Sequence, residues 1–197
     1  MTVTTDLIKQ LRAMTGAGML DVKKALEETA GDVEKAAALL RERGIAKASK
    51  KADRAAKEGL VGSYVHHNGK IAVLVELNCE TDFVARNESF RELAKNLAIH
   101  IAMANPQVLR REDLPAEAVE AERAALRAQA REEGKPEQII EKMVEGRLGK
   151  FYAEACLLEQ PYVRDDKKTI DQLVKEAIAT IGENIQVGRF TRIAIGE

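Results

Sequence analysis

Residues 59–77 contain the clearest β-structure signal in a sequence otherwise patterned for helices. Two runs rich in β-branched and aromatic residues flank residues 67–70, His-Asn-Gly-Lys. Asn-Gly between such runs is the strongest short signal for a β-hairpin, because both central residues of the tightest turns need positive φ. The second run is apolar at successive positions, so it predicts a strand that is buried on both faces. The apolar residues of this predicted strand are Ile71, Ala72, Val73, Leu74, Val75 and Leu77.

The first 44 residues predict three short helices. Thr5 can cap the first helix, the Thr-Gly-Ala-Gly stretch at 15–18 breaks it, Asp32 can cap the third, and Gly44 suits the position after its end. Three helices of this size are near the lower limit for a unit that folds independently. The expected inward residues are Leu7, Ile8, Leu11 and Met14, then Val22, Ala25 and Leu26, then Val33, Ala36, Ala37 and Leu40.

The rest of the chain predicts a linker and a mixed body. Residues 45–58 are rich in Ala and Lys and indicate a solvated helical linker. Further helices are expected from Asn87 to Asn105-Pro106, over 116–133, after Pro136, and from Thr169 to Gly182, followed by a final strand. The predicted fold class is therefore α+β: a three-helix domain (1–44), a helical linker (45–58), and a core (59–197) with a small antiparallel sheet packed with helices.

Charge and cysteine content narrow the class of protein. The chain has 31 basic and 32 acidic residues, so its net charge draws it neither to nucleic acid nor to anionic membranes. The basic run in 43–57 could touch RNA, but no aromatic residue stands among its charges to stack on bases, so a solvated face is favoured. Two cysteines make no disulfide framework, and no signal or membrane-spanning segment is evident. We therefore expect a cytoplasmic protein that binds neither membrane nor nucleic acid.

The residues needed for catalysis are poorly represented. There is no Gly-rich phosphate loop and no Gly-x-Ser-x-Gly motif. A nucleophile would have to be Cys79 paired with His66, His67 or His100, but Cys79 follows an apolar strand and packing is the favoured role. We expect no catalytic residue, no metal and no cofactor, and a binding protein rather than an enzyme.

The segment Thr81-Asp82-Phe83-Val84 stands between the apolar strand and the next helix. It places a large apolar ring beside a carboxylate at a junction, where loops normally keep apolar residues few. Either Phe83 turns back into the chain's own core or it is held outward for a partner. The residues alone leave both alternatives open, and the core is the commoner fate of an aromatic side chain.

Two strings together resemble a known family. "LRAMTGAGMLDVKKAL" and "ELNCETDFVARNESF" resemble bacterial translation elongation factor Ts, and the likeness continues through "HIAMANP", "GKPEQIIEKMVEGRL" and "EQPYVRDDKKTI". It covers essentially the whole chain. Many family members are longer, with a second related half of the core. This chain is similar to the short members, in which the resemblance implies a homodimer.

The resemblance also implies a partner and a set of binding residues. The implied role is guanine-nucleotide exchange on elongation factor Tu, with Thr81, Asp82, Phe83 and Val84 disturbing the Mg²⁺ site of that partner. The first 44 residues resemble a ubiquitin-associated domain, and Arg12, Met19 and Leu20 are the implied contacts there. For Met19 and Leu20, core packing is the open alternative. His100 matches a contact position, with a helix-surface histidine as its alternative.

Overall fold

The computed structural model describes residues 3–196 and confirms the α+β class. Within these residues the chain forms eight α-helices, two single-turn 3-10 helices at Arg111–Asp113 and Leu157–Glu159, and five strands. Met1, Thr2 and Glu197, which the predicted domain boundaries include, lie outside the described residues, and those boundaries remain predictions. The elements are α1 (Thr5–Thr15), α2 (Met19–Glu28), α3 (Val33–Ser49), β1 (Glu58–Val65), β2 (Ile71–Cys79), α4 (Asp82–Ala85), α5 (Glu88–Ala104), α6 (Ala116–Glu132), α7 (Glu137–Ala155), β3 (Pro161–Tyr162), β4 (Asp165–Thr169), α8 (Ile170–Ile181) and β5 (Ile185–Ala194).

The three N-terminal helices enclose a small apolar core. Thr4, not Thr5 as predicted, caps α1: its side chain accepts a hydrogen bond from the N–H of Leu7 at 3.4 Å. Asp32 caps α3 as expected, accepting from the N–H of Lys35 at 3.0 Å. Met14 is exposed, so its predicted inward position is wrong. The buried members of this core are Leu11, Val22, Ala25, Leu26, Ala36 and Leu40.

α3 does not stop at Gly44 but continues to Ser49. Gly44 therefore has a packing role: a Cβ placed on it would lie 3.0 Å from the Cβ of Ala179 on α8. The predicted linker is helical only as far as Ser49. Beyond it, the backbone carbonyls of Ala52 and Arg54 accept hydrogen bonds from the side-chain amide of Asn184, at 3.2 and 2.7 Å. Most side chains of this part of the linker are exposed to solvent, while two of its backbone carbonyls are held by Asn184.

The hairpin is present, but its turn differs from the tightest type. The N–H of His66 donates to the carbonyl of Ile71 at 2.8 Å, and the N–H of Gly69 donates to the carbonyl of His66 at 2.8 Å. Gly69 has φ of 69°, whereas Asn68 is not among the non-glycine residues at positive φ. The loop is thus one in which only glycine takes the left-handed conformation.

β2 lies between β1 and β5 in a three-stranded sheet, so the terminal strand joins the hairpin as predicted. Val73, Val75, Leu77 and Cys79 are buried on one face of β2. Leu74, on the other face, is 55% exposed, so the predicted burial of both faces is wrong for the single chain.

α5 begins and ends where the sequence predicts. The side chain of Asn87 accepts from the N–H of Ser89 at 2.8 Å, and the helix ends before Asn105, whose φ is 46°, and Pro106. Phe90, Leu97 and Ile101 are fully buried along its inner stripe.

α6 and α7 form an antiparallel pair joined by a short turn at Gly134, whose φ is 71°. Guanidinium groups on one helix face carboxylates on the other: Arg127 with Glu141 at 2.7 Å and Arg131 with Glu137 at 2.8 Å. An apolar cluster also fills the interface between the two helices. The buried residues between them are Leu126, Ala130, Ile140, Val144 and Leu148.

By residue contacts the chain divides into two compact units. The first contains the residues up to Gly62, Glu76–Lys95 and Gln172–Gly188, and so includes α1–α4 and most of α8. The second contains Ser63–Val75, Asn96–Asp171 and the residues from Arg189, and so includes α6 and α7.

Candidate functional site

The segment Thr81-Asp82-Phe83-Val84 forms the N-terminus of α4, a helix of 4 residues in the first unit. Thr81 is its N-cap, with φ of −129° and ψ of 155°, and its hydroxyl accepts from the N–H of Val84 at 3.4 Å. Thr is a favoured cap because its side-chain oxygen satisfies a free backbone donor. Asn87 caps α5 shortly afterwards, so α4 cannot grow beyond one turn.

Phe83 points away from the core of the chain. Its relative exposure is 79%, and α4 has no buried residue. The alternative that Phe83 anchors the following helix is therefore wrong; Phe90 does so instead and is fully buried. An exposed phenylalanine is notable here because the chain contains only four.

Asp82 lies beside the exposed ring and remains half open to solvent. Its carboxylate pairs with Arg86 at 2.8 Å, one helical turn away. Exposed pairs of this kind contribute about 0.3–0.5 kcal/mol to stability, so a partner could replace this one at little cost. The carboxylate also lies in the first turn of α4, where the helix dipole favours negative charge.

The residues just before Phe83 are held by an acidic side chain that sequence analysis missed. The carboxylate of Glu183 accepts from the N–H of Thr81 at 3.0 Å and from its hydroxyl at 2.7 Å. Glu183 is 102 residues away along the chain, and no local pattern signals such a contact.

Cys79 supports the same segment from inside the protein. Its thiol donates to the carbonyl of Thr81 at 3.1 Å, and its side chain is buried. Burial and then the charge of Glu183 raise the pKa of the Cys79 thiol. The thiolate that nucleophilic catalysis requires is thus disfavoured.

The N-terminal candidates also lie at the surface of the first unit. Met19, at the start of α2, is 58% exposed and Leu20 is 76% exposed, while Arg12 is exposed on α1. Neither apolar side chain packs in the core, so that alternative is wrong for both. Met14 adds a third exposed apolar side chain, which the helical pattern had assigned to the interior.

His100 belongs to the second unit and is fully buried, unlike either sequence alternative. One ring nitrogen, Nε2, lies 2.9 Å from Oε1 of Gln160, and the other accepts from the N–H of Val163 at 3.4 Å. Both nitrogens are therefore satisfied inside the protein. The structure does not bring His100 to a surface where its side chain could contact a partner.

Two other features are absent among residues 3–196. No group of three or more His, Cys, Asp or Glu side chains in this range is arranged to hold a metal ion. Among the helices described for this range, none is both long and apolar enough to cross a membrane.

An α+β chain with exposed apolar side chains at the starts of two helices has the features of a factor that binds another macromolecule. Residues 4–197 match the family model described as Elongation factor TS. The chain is 59% identical to Elongation factor Ts of Geobacter metallireducens over 197 residues, covering 100% of this chain and 91% of that protein. It is 58% identical to Elongation factor Ts of Nitratidesulfovibrio vulgaris over 196 residues, covering 100% and 98%. The chain therefore belongs to the elongation factor Ts family of translation factors, which confirms the resemblance found in its sequence.

Proposed function

We propose that this protein is the guanine-nucleotide exchange factor for elongation factor Tu. It acts in the cytoplasm during translation elongation and, since it makes and breaks no covalent bonds, it is not an enzyme. Family membership over residues 4–197 supports the role. The single observation that carries the residue assignment is the outward position of Phe83, which is 79% exposed beside Asp82.

Exchange by a binding protein is a matter of thermodynamic linkage. A factor that binds empty elongation factor Tu more tightly than the GDP-bound form weakens GDP binding by the same ratio. Moving a population from 1:99 to 99:1 takes about 5.5 kcal/mol of differential binding. Burying one large apolar side chain contributes roughly 1.5–3 kcal/mol, so a few exposed groups suffice. Phe83, Met19 and Leu20 are side chains of this kind.

We assign the Mg²⁺-dislocating step to α4 and its cap, as the family resemblance implies. Phe83 inserts between helices of the GTP-binding domain of elongation factor Tu, and Asp82 orients it through hydrogen bonding or charge. Thr81 and Val84 set the turn and pack at its base. The insertion moves backbone near the nucleotide and displaces Mg²⁺ of the partner. The charge of the diphosphate is then less well neutralised, and GDP leaves faster.

The N-terminal helices act as the docking unit in this proposal. Arg12, Met19 and Leu20 contact the GTP-binding domain, and the exposure of Met14 adds an apolar side chain close to them in sequence. These contacts add to the affinity for the partner, and Phe83 is the group that inserts near the nucleotide. His100 has no part in the proposal because it is buried.

We further propose that two copies of the chain pair through the strands. Exposed apolar side chains lie on all three strands of the sheet, and Leu74 is on the central one. A second copy is a suitable cover because a two-fold interface is self-complementary. The exposed apolar residues on the strands are Val61, Val65, Leu74 and Ile193, and Ile195 lies just beyond the end of β5.

The exchange role is tested by release of fluorescent GDP from elongation factor Tu. We expect a substoichiometric amount of the protein to accelerate release. Phe83→Ala should reduce that acceleration about 10- to 100-fold, because one large apolar side chain no longer contributes 1.5–3 kcal/mol. Ile139→Ala, which truncates an exposed apolar side chain on α7, is the matched control and should exchange normally. Normal exchange by a folded Phe83→Ala variant would refute the assigned role.

A further inference from the structure

α4 cannot hold its own conformation. It has 4 residues and none of them is buried, whereas isolated helices shorter than about 12 residues are marginal in water. The direction in which Phe83 points is therefore decided by whatever fixes the two ends of this turn. At the C-terminal end the chain continues into α5. At the N-terminal end the fixing group is the carboxylate of Glu183.

Glu183 is itself placed by the end of α8. Gly182 follows that helix with φ of 94°, and its N–H donates to the carbonyl of Ile178 at 2.9 Å. This left-handed turn ends the helix and directs the next residue back toward the end of β2. All of these residues belong to the first unit.

Both oxygens of the Glu183 carboxylate are used on consecutive residues. Oε2 accepts from the N–H of Glu80 at 3.1 Å and from the N–H of Thr81 at 3.0 Å. Oε1 accepts from the hydroxyl of Thr81 at 2.7 Å. Hydrogen bonds to an ionised acceptor are about twice as strong as neutral ones, so three on one carboxylate make a firm attachment.

The bond to the hydroxyl also determines how α4 is capped. A threonine hydroxyl has one proton, and here it goes to Glu183. The free lone pairs of that oxygen are then left to accept from the N–H of Val84 at 3.4 Å. Glu183 thus orients the cap of the turn whose second residue is Phe83.

A second carboxylate makes the attachment reciprocal. Oε1 of Glu80 accepts from the N–H of Asn184 at 2.6 Å. Glu183 therefore binds the backbone N–H of Glu80, while Glu80 binds the backbone N–H of Asn184, the residue after Glu183, and the two attachments together resist sliding and rotation of the two segments. Asn184 is buried, and its side-chain amide binds the carbonyls of Ala52 and Arg54.

We propose that Glu183 is a positioning residue for nucleotide exchange: it holds Thr81 so that Phe83 is presented outward at a fixed angle. This inference rests on the proposed exchange function. Glu183 need not touch the partner. A displacement of about 1 Å in a group that must enter a defined site can reduce a rate by about 100-fold, so a loss of orientation has a measurable effect.

The test uses Glu183→Gln and Glu183→Ala in GDP release from elongation factor Tu. Gln keeps the shape, but one of its terminal atoms donates, so it cannot accept all three bonds. We expect the maximal release rate to fall several-fold in Glu183→Gln and about tenfold or more in Glu183→Ala. The concentration of the protein that gives half-maximal GDP release should change less, because the contacts of the N-terminal helices with elongation factor Tu remain. Glu137→Ala, which removes an ion-paired carboxylate on α7, is the control.

A double-mutant cycle separates positioning from general stabilisation. If Glu183 acts through Phe83, then Glu183→Ala has no further effect in a Phe83→Ala background. Equal losses in both backgrounds, or a wild-type rate for folded Glu183→Ala, would overturn the inference. If Glu183→Ala does not fold, hydrogen exchange of the backbone amides of residues 81–85 in Glu183→Gln is the deciding measurement. Faster hydrogen exchange confined to this segment supports the inference, and unchanged hydrogen exchange overturns it.

The same experiment distinguishes failure of the two proposals. Absence of accelerated release by the wild-type protein refutes the function itself, and normal release by Phe83→Ala refutes the role assigned to Phe83. Loss in Phe83→Ala together with normal release by Glu183→Ala and Glu183→Gln refutes only the positioning role.

Discussion

Phe83 and Phe90 are close in sequence but have opposite environments. Phe90 lies in the inner stripe of α5 and is fully buried, whereas Phe83 is exposed on α4. The difference comes from the cap at Asn87, which starts α5 as a separate helix. The stripe that fills the core begins only after this cap, so Phe83 has no place in it.

His100 is a buried residue that should make stability depend on pH. Its Nδ1 accepts from a backbone N–H, so Nε2 has the proton and donates to Gln160. Burial lowers the pKa of His100 below 6.5, and the hydrogen bond to Gln160 opposes this shift. The folded state therefore binds a proton less readily than the unfolded state.

We expect the free energy of unfolding to include this contribution fully above about pH 6.5 and to lose it as the pH falls through the folded-state pKa. Urea denaturation at pH 7.5 and pH 5.5 measures the change, and His100→Asn should remove part of it. The ring protons of His100 should titrate in NMR with a midpoint below 6.5. A midpoint at or above 6.5 would contradict the buried neutral ring.

At the scale of elements, α3 and α8 approach closely because small residues face each other. A Cβ on Gly44 would lie 3.0 Å from that of Ala179, and Arg41 pairs with Glu176 at 2.9 Å on the same two helices. The docking helices are thus held against α8 within the first unit. Gly146 on α7 is a useful contrast, since a Cβ there would meet nothing within 4 Å.

These two helical glycines should respond oppositely to substitution. Gly44→Leu should lower the free energy of unfolding by about 1–3 kcal/mol, because the added atoms have no space. Gly146→Ala should raise it by about 0.5–1 kcal/mol, because a helix interior disfavours glycine and the added methyl is unopposed. Urea denaturation of both variants is the measurement. Equal effects of the two changes would show that α3 and α8 are not in close contact.

At the scale of the whole molecule, the proposed homodimer predicts a dependence on the exposed face of β2. Sedimentation should give twice the mass of one chain at micromolar concentration. Leu74→Lys should raise the dimer dissociation constant by more than about 100-fold, because each interface would bury an unpaired charge. Ile139→Lys, on α7, should leave the mass unchanged. A wild-type protein that sediments as a monomer would refute the pairing.

Most of the element boundaries were predictable because their causes are local. Asn87 and Asp32 cap helices through their own neighbours, and Gly182 ends α8 through a left-handed turn. Gly44 shows where the same reasoning fails. A glycine after a helical stripe indicates an end, but here the glycine makes room for another helix, and that neighbour is far away in sequence.

The candidate site, too, could be predicted from the sequence only in part. The string Thr-Asp-Phe-Val and the exposed positions near Met19 were identified from sequence by family resemblance, which says nothing about orientation. The outward direction of Phe83 and the burial of His100 depended on which surfaces the folded chain had already covered.

The sequence alone determined most of the positions of helices and strands, because capping, periodicity and turn preferences act within a few residues. Only the tertiary structure decided that Glu183 holds Thr81, that α3 runs past Gly44, and that Leu74 faces solvent. Hydrogen bonds and close packing between residues far apart in the chain leave no periodic trace in the sequence, so they become visible only when the fold brings those residues together.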